Sequence, residues 1–484
     1  MANPIRKLLG QTAVYGLSSI VGRLLNYLLV PLYTYVFADP SDYGVVSELY
    51  AWVAFLVVFL TFGMETTFFR FIQDHQDKTS VFRNAFLTVI GINAIFFAVL
   101  LYFNQSIADI MLFSDHNEYI VLLGAIVCID SITALPLAKL RADEKALKFA
   151  GIQLASIGVN IGLNVLLILF AFEPSRPEEG VLFILFANLC ASLIRPLLLY
   201  QYFLNIRLHF DWQLIKHMLR YSFPLVIAGF AGIVNETMDR ILLKHIIYDG
   251  SSPDSLHFAE TQVGIYSACY KLAMLVTILL QAYRYAAEPF FFSQSQNEDK
   301  NKTYVRVMNF FIATVSLVFL VVSLNIDIFK LFIRNESYYV GLGVVPILLL
   351  ANVFLGIYYN QSIWYKLSGQ TKFGAYIAIG GAGLTLLINA LFIPTYGYYA
   401  SAWATLIVYG LQMAASYYLG QLYYPINYNL KKFALYTGGA LFLFAISKLL
   451  AIDSSTVRFV VHNSLILLFV SMVYVLEKSN LKRA

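Results

Sequence analysis

The chain of 484 residues is 59% hydrophobic and 16% aromatic, carries only 13% charged residues, and has a net charge of +5. A soluble protein carries roughly 25% charged residues. No soluble core absorbs this much apolar sequence, so the solvent is lipid and the chain is an integral membrane protein. The net positive charge reflects loop lysines and arginines and gives no nucleic-acid signal.

A membrane helix needs about 20 apolar residues. In chain order, apolar runs predict spans near 11–37, 42–71, 83–103, 118–140, 148–172, 180–204, 220–248, 262–293, 303–323, 338–366, 372–393, 397–423, 430–449 and 457–476, fourteen in all. The runs are continuous rather than alternating, which excludes a strand barrel and makes the fold all-α. The first run contains Arg23 and lacks a small-x-small cleavage site, so it is expected to stay as the first helix. "FDWQLIKHMLRYSFP", from Phe210, is amphipathic and predicts an interfacial linker helix over 206–219. The loops around 205–219 and 249–261 are the longest, which leaves no room for a soluble enzyme domain; no enzymatic activity is expected. Cys128, Cys190 and Cys269 fall in apolar segments as small packing residues, and the seven histidines show no metal-ligand spacing.

Loop bases set the expected topology. One set of loops holds most of them, among others Arg6, Lys78, Lys139, Lys216, Lys300, Lys372, Lys431 and Lys478. The other set holds only Arg176, Lys244, Lys330, Arg334, Lys448 and Arg458. Both termini are therefore expected to be cytoplasmic, which requires an even number of helices.

The chain also repeats itself. "ADIMLFSDHNEY" before the fourth span matches "IDIFKLFIRNESY" before the tenth, with Asp109/Asp327, Asn117/Asn335 and Glu118/Glu336 at one constant offset. "KFAGIQ…NVLLILF" from Lys148 echoes "KFGAYI…NALFIP" from Lys372. Two six-helix halves entering from the same side form a parallel repeat, as in transporters whose site lies between the repeats. The expected organisation is an N-terminal lobe over 1–205, the linker over 206–219, a C-terminal lobe over 220–425, and helices 13–14 with a tail over 426–484. The last pair has no Asp, Glu or Arg in its middle and is expected to face lipid.

Charges within the spans are candidates for function, because each costs roughly 2.5–3.5 kcal/mol at the bilayer centre. The bases are Arg23, Arg70, Arg195, Arg240, Lys271 and Arg284; the acids inside or at the rims of spans are Glu48, Glu65, Asp130, Glu236, Asp239 and Glu288. All the bases except Arg195 lie on helices 1, 2, 7 and 8. Glu236/Arg240 and Arg284/Glu288 are spaced i,i+4 and could neutralise each other, the alternative being that their bases face the lumen; Glu65 and Arg70, five apart, are placed less well. Arg23 and Lys271 have no acid nearby in sequence, and Asp130 is alone in helix 4. Pro31, Pro136, Pro196, Pro224, Pro289 and Pro346 are expected to interrupt their spans.

"GRLLNYLLVPLYTYVF…DYG" (Gly22 to Gly44) and "GMETTFFRF" (Gly63 to Phe71) resemble the opening of bacterial polysaccharide transporters. "ETMDRILL" (Glu236 to Leu243) with "GIYSACYKLAMLVTILLQAYRYAAEPFF" (Gly264 to Phe291) resembles the start of their second half, and "NALFIPTYGYYASAWATLI" (Asn389 to Ile407) their helix 11–12 turn. On these motifs nearly the whole chain resembles the oligosaccharide (O-antigen type) flippase branch of the multidrug/oligosaccharidyl-lipid/polysaccharide exporter superfamily. The resemblance implies a V-shaped bundle of two six-helix lobes. It implies a flippase moving undecaprenyl-pyrophosphate-linked sugar units across the bacterial plasma membrane, with membrane lipids and polysaccharide polymerases or glycosyltransferases as neighbours. It also implies a cationic cavity whose candidate members are Arg23, Arg70, Arg240, Lys271 and Arg284; Glu65, Asp130, Glu236, Asp239 and Glu288, from their place in or at the rims of the spans, are candidates for coupling or ion pairing. No cofactor is expected; the driving force is Na⁺ or H⁺ coupling or the membrane potential alone, which moves an anionic head group outward at roughly 2.3 kcal/mol per charge per 100 mV. A cation-coupled multidrug exporter and a lipid II flippase of the same superfamily are the alternatives.

Overall fold

The computed structural model describes Gly16 and residues 20–204, 209–294, 299–450 and 452–481. The start of the first expected span, apart from Gly16, and residues 205–208 of the expected linker lie outside the described residues. Fourteen long helices follow in chain order: α1 (Ile20–Val36), α2 (Pro40–Asp74), α3 (Lys78–Tyr102), α4 (Asn117–Ala142), α5 (Ala146–Phe170), α6 (Pro177–Leu198), α7 (Trp212–Ile247), α8 (Pro253–Gln294), α9 (Lys300–Leu324), α10 (Val344–Leu367), α11 (Lys372–Tyr396), α12 (Tyr398–Tyr423), α13 (Leu430–Leu449) and α14 (Ser455–Leu481). Each falls on one of the fourteen expected spans, and no strand occurs among the described residues. Twelve of them are long and apolar enough to cross a membrane by length and composition.

Side chains set the helix starts. Asp77 accepts from the Thr79 and Ser80 N–H groups and starts α3; Asp211 accepts from the Leu214 N–H and starts α7. α2 bends where Phe62 and Gly63 both adopt positive φ, 49° and 63°, and resumes at Met64. Pro31 begins the second segment of α1 after a turn at Leu28–Leu29, as expected. α4 and α7, by contrast, continue through Pro136 and Pro224. The described part of the expected linker, likewise, is no separate element: residues 212–219 are the first turns of the 36-residue α7. Leu214 and Met218 are buried there in a core with Phe68, Phe82, Phe86 and Leu135, and this burial, rather than an interface with lipid, uses the apolar face of the segment.

By its contacts the chain divides into two compact units, Met1–Gly264 and Ile265–Ala484. The repeat is visible inside them. In the first unit α3 packs on α4, α4 on α6 and α5 on α6; in the second, α9 packs on α10, α10 on α12 and α11 on α12. The helices that begin the second sequence repeat are placed differently. α7 lies against α2 and, with the start of α8, belongs to the first unit, so the compact units do not follow the 206–219 boundary. α13 and α14 pack on α9 of the second unit, held by Lys432 and Tyr436 on Glu477 and by His462 on the Leu324 carbonyl. The far side of α14 is exposed at Leu467, Leu468 and Val475, consistent with a lipid-facing helix.

One contact within the first unit depends on glycine. A Cβ on Gly44 of α2 would overlap the Glu260 carbonyl of α8, and one on Gly264 would overlap the Pro40 carbonyl. The contact is reciprocal: each glycine faces the carbonyl four residues before the other, and each would bring its Cβ to 3.1 Å from the other's amide nitrogen. Backbones this close require residues without side chains. Gly44→Ala and Gly264→Ala are each expected to lower the thermal unfolding midpoint in detergent, by an overpacking cost of roughly 1–3 kcal/mol. Gly158→Ala, where nothing lies within 4 Å, is the control and is expected to leave the midpoint unchanged or raised.

Candidate functional site

The charges inside the helices are mostly neutralised by neighbours that sequence spacing does not reveal. Asp130 is not alone: Arg195 of α6 donates to it at 2.8 Å. Glu65 pairs with Arg141 of α4, whose guanidinium lies 5.1 Å from the Phe69 ring centroid, and Arg70 pairs with Asp74 at 3.2 Å. The Glu236–Arg240 pair that the i,i+4 spacing allows does not form. Arg240 bonds Asp239 at 2.9 Å and takes only the backbone carbonyl of Glu236, whose side chain is exposed. The side chain of Glu288 lies outside the described residues.

Among the described residues, the most buried cation is one that sequence position assigns to a loop. Lys244, in the last turn of α7, is completely buried. Its ammonium lies 3.0 Å from Glu48 Oε2 and 3.1 Å from Glu260 Oε1, linking α7 to α2 and α8. The approach to Glu48 Oε2 is an ion pair without hydrogen-bond alignment, since that oxygen accepts no hydrogen bond; Glu48 Oε1 instead accepts from Trp52 Nε1 at 3.3 Å. Lys244 Nζ also donates to the Met111 and Leu112 carbonyls at 3.4 Å and lies 3.6 Å from the Phe113 ring centroid. The segment before α4 thus covers the lysine. A base four residues from the end of an apolar run looks the same in sequence whether it enters water or is covered, and only Glu48, already singled out as an acid within a span, pointed to this cluster.

Outside the spans, burial pushes the Asp39 carboxyl up, but the Ser41 N–H and His257, at 2.8 Å, outweigh it and hold Asp39 below the usual range.

Of the five expected cavity cations, Arg23, Arg70 and Arg240 lie in the first unit and Lys271 and Arg284 in the second. Arg284 sits 4.4 Å from the Tyr359 ring centroid. Arg23 is exposed and makes no ion pair or hydrogen bond with any described residue. Further along these helices, α1 is tied to α5 by Tyr33 on Asn164 at 2.9 Å and Asn160 on Asn26 at 3.1 Å, and α2 to α6 by Asn188 on Tyr50 at 2.9 Å. A guanidinium is a planar fork whose geometry matches phosphate oxygens.

A family model described as polysaccharide biosynthesis protein matches residues 8–296, which include Arg23 and the Lys244 cluster. The chain belongs to this family. No curated protein matches this chain in sequence. In fold it is similar to the lipid II flippase MurJ in an inward closed conformation, with a TM-score of 0.72 and 13% identity over 95% of this chain and 98% of that one. It is similar also to an inward-facing multidrug resistance MATE family transporter of the MOP superfamily (TM-score 0.59, 15% identity, 85% and 94% covered). A third similar structure is a MOP superfamily transporter from Pyrococcus furiosus (0.55, 14%, 85% and 95%). At these identities the likeness concerns the fold, which is the one the sequence motifs implied. The family member is thus a multi-pass membrane protein with a transporter fold.

Breaking a buried ion pair on one side leaves an uncompensated charge and costs roughly 3–5 kcal/mol. Lys244→Met is therefore expected to lower the unfolding midpoint of this family member strongly. The triple variant Glu48→Gln, Lys244→Met, Glu260→Gln, which removes all three charges, is expected to recover most of the loss. Equal midpoints for the single variant and the wild type would show that the cluster contributes no stability.

Proposed function

We infer that this protein is a flippase that carries undecaprenyl-pyrophosphate-linked oligosaccharide units across the bacterial plasma membrane for surface polysaccharide synthesis, with both termini cytoplasmic. Family membership supports polysaccharide biosynthesis, and the similar fold of a lipid II flippase supports a lipid-linked cargo. The observation that carries the reading is Arg23: an exposed cation in an apolar helix, in the family-matched region, without a partner among the described residues. A charge left in that position is stabilised by an anionic ligand or by water, and a lipid diphosphate supplies about two negative charges. Arg70, Arg240, Lys271 and Arg284 are proposed as further contacts along the path, with Arg70 and Arg240 exchanging their present carboxylate partners for phosphate. Glu65, Asp130, Glu236, Asp239 and Glu288 are proposed to re-pair these cations or to take part in coupling. Polymerases and glycosyltransferases of the same pathway are proposed as neighbours in the membrane.

Arg23→Ala is expected to abolish surface glycan while the protein stays inserted and abundant, and Arg23→Lys to restore only part, because the planar fork is lost. The check is surface-glycan staining alongside immunoblotting of membranes; undiminished glycan in Arg23→Ala would exclude the role. Binding measurements with the purified protein separate the related readings. Preference for a lipophilic cation over a lipid diphosphate would indicate a multidrug exporter, and preference for lipid II over other lipid-linked glycans would indicate a peptidoglycan flippase.

A further inference from the structure

His245 follows Lys244 in the last turn of α7, and both of its ring nitrogens face carbonyl oxygens. Nδ1 lies 2.9 Å from the Ile241 carbonyl and Nε2 3.2 Å from the Ile110 carbonyl. A neutral imidazole has one N–H, so it can satisfy one of these acceptors and must turn a lone pair toward the other; only the imidazolium donates to both. The charge count is compatible with the same state. With both carboxylates ionised, Glu48 and Glu260 set two negative charges against the single positive charge of Lys244, in a site where the Glu48 and Lys244 side chains are 0% exposed and Glu260 only 15%. A protonated His245, with Nδ1 4.0 Å from Glu48 Oε1, brings the sum to zero.

Access differs within the cluster as well. The His245 ring is 30% exposed, while its counter-ion Glu48 is sealed. A proton can therefore reach the histidine from water without opening the ion pair.

Several of the other charged groups on the packed elements are occupied elsewhere. On α2 and α8, Asp39 pairs with His257 at 2.8 Å. On the covering segment and the start of α4, Asp109 accepts from Gln105 at 3.1 Å and His116 pairs with Glu118 at 3.0 Å. One turn back on α7, Arg240 holds Asp239. Asp42, in the first turn of α2, interacts electrostatically with Glu260, Asp39 and His257 and is a second titratable group of this region, which the His245 variants separate from the histidine.

We propose that His245 is a proton-binding site with Glu48 as its counter-ion, and that the bound proton holds the ends of α2, α7 and α8 to the 104–113 segment. No bond other than N–H is made or broken: the proton comes from water and returns to it. Resting on the flippase reading, this makes the proton the coupling ion. Uptake at His245 favours the packed arrangement of these four elements, and release permits the step in which they separate.

The test needs no substrate. Amide hydrogen exchange is followed by mass spectrometry on the full-length protein in lipid, across roughly pH 5 to 8, the range in which imidazole acts as a switch. Rates are corrected for intrinsic exchange. Peptides covering 104–113 and 241–248 are expected to be protected at low pH and to open as pH rises, by up to about tenfold per pH unit, the slope for release of one proton. His245→Asn is expected to open them at every pH, and Glu48→Gln to shift the opening to lower pH. Should His245→Asn not fold, His245→Arg, a fixed cation, is expected to keep both peptides protected throughout. Exchange independent of pH in the wild type, or wild-type pH dependence in His245→Asn or His245→Arg, would overturn the proposal. A second measurement follows export of lipid-linked oligosaccharide by proteoliposomes with and without an imposed proton gradient. Export indifferent to the gradient overturns the coupling role. Absence of export with the exchange behaviour intact refutes the flippase reading and leaves the proton site standing.

Discussion

A charge in hydrocarbon must find a partner or water, and the interior of the first unit is organised around that requirement. Lys244 is its centre. A fully buried ammonium is stable there only because two carboxylates, two carbonyls and an aromatic face converge on it from α2, α8 and the segment before α4. Those elements come from distant parts of the chain, so the pairing ties them into one body. It accounts for why α7 and the start of α8 belong with the first unit although the internal repeat assigns them to the second half.

The glycine contact between α2 and α8 serves the same arrangement. Glu48 lies one turn beyond Gly44, and Glu260 one turn before Gly264. The two carboxylates reach a single lysine because their backbones approach without intervening side chains. Close packing and charge neutralisation therefore depend on each other here. Elsewhere in the unit, single pairs such as Asp130–Arg195 and Glu65–Arg141 hold neighbouring helices at lower cost, since they are only partly buried.

Against this background Arg23 stands apart. Arg70, Arg195, Arg240 and Lys244 each have a carboxylate within reach, whereas Arg23 makes no ion pair or hydrogen bond with any described residue, on a helix that polar links fix to α5. The helix itself is braced on either side of Pro31 at Tyr33 and Asn26, so the backbone that carries Arg23 is fixed to α5.

The sequence alone determined the class of protein, the fourteen helices and the repeat, because continuous apolar runs of membrane-spanning length and recurring motifs are local signals. The helix starts at Asp77 and Asp211 were local too, set by side chains bonding to nearby N–H groups. What the sequence left undecided was which charges meet. Spacing of i,i+4 suggested Glu236 for Arg240, yet the neighbouring Asp239 took it; Asp130 looked solitary until α6 brought Arg195 beside it. Lys244 looked like a loop base because burial by Phe113 and the 104–113 segment is a property of the packed helices. Helix formation depends on residues within a few turns, whereas neutralising a charge depends on whichever side chain the fold brings to within about 3 Å; only the tertiary structure could decide that.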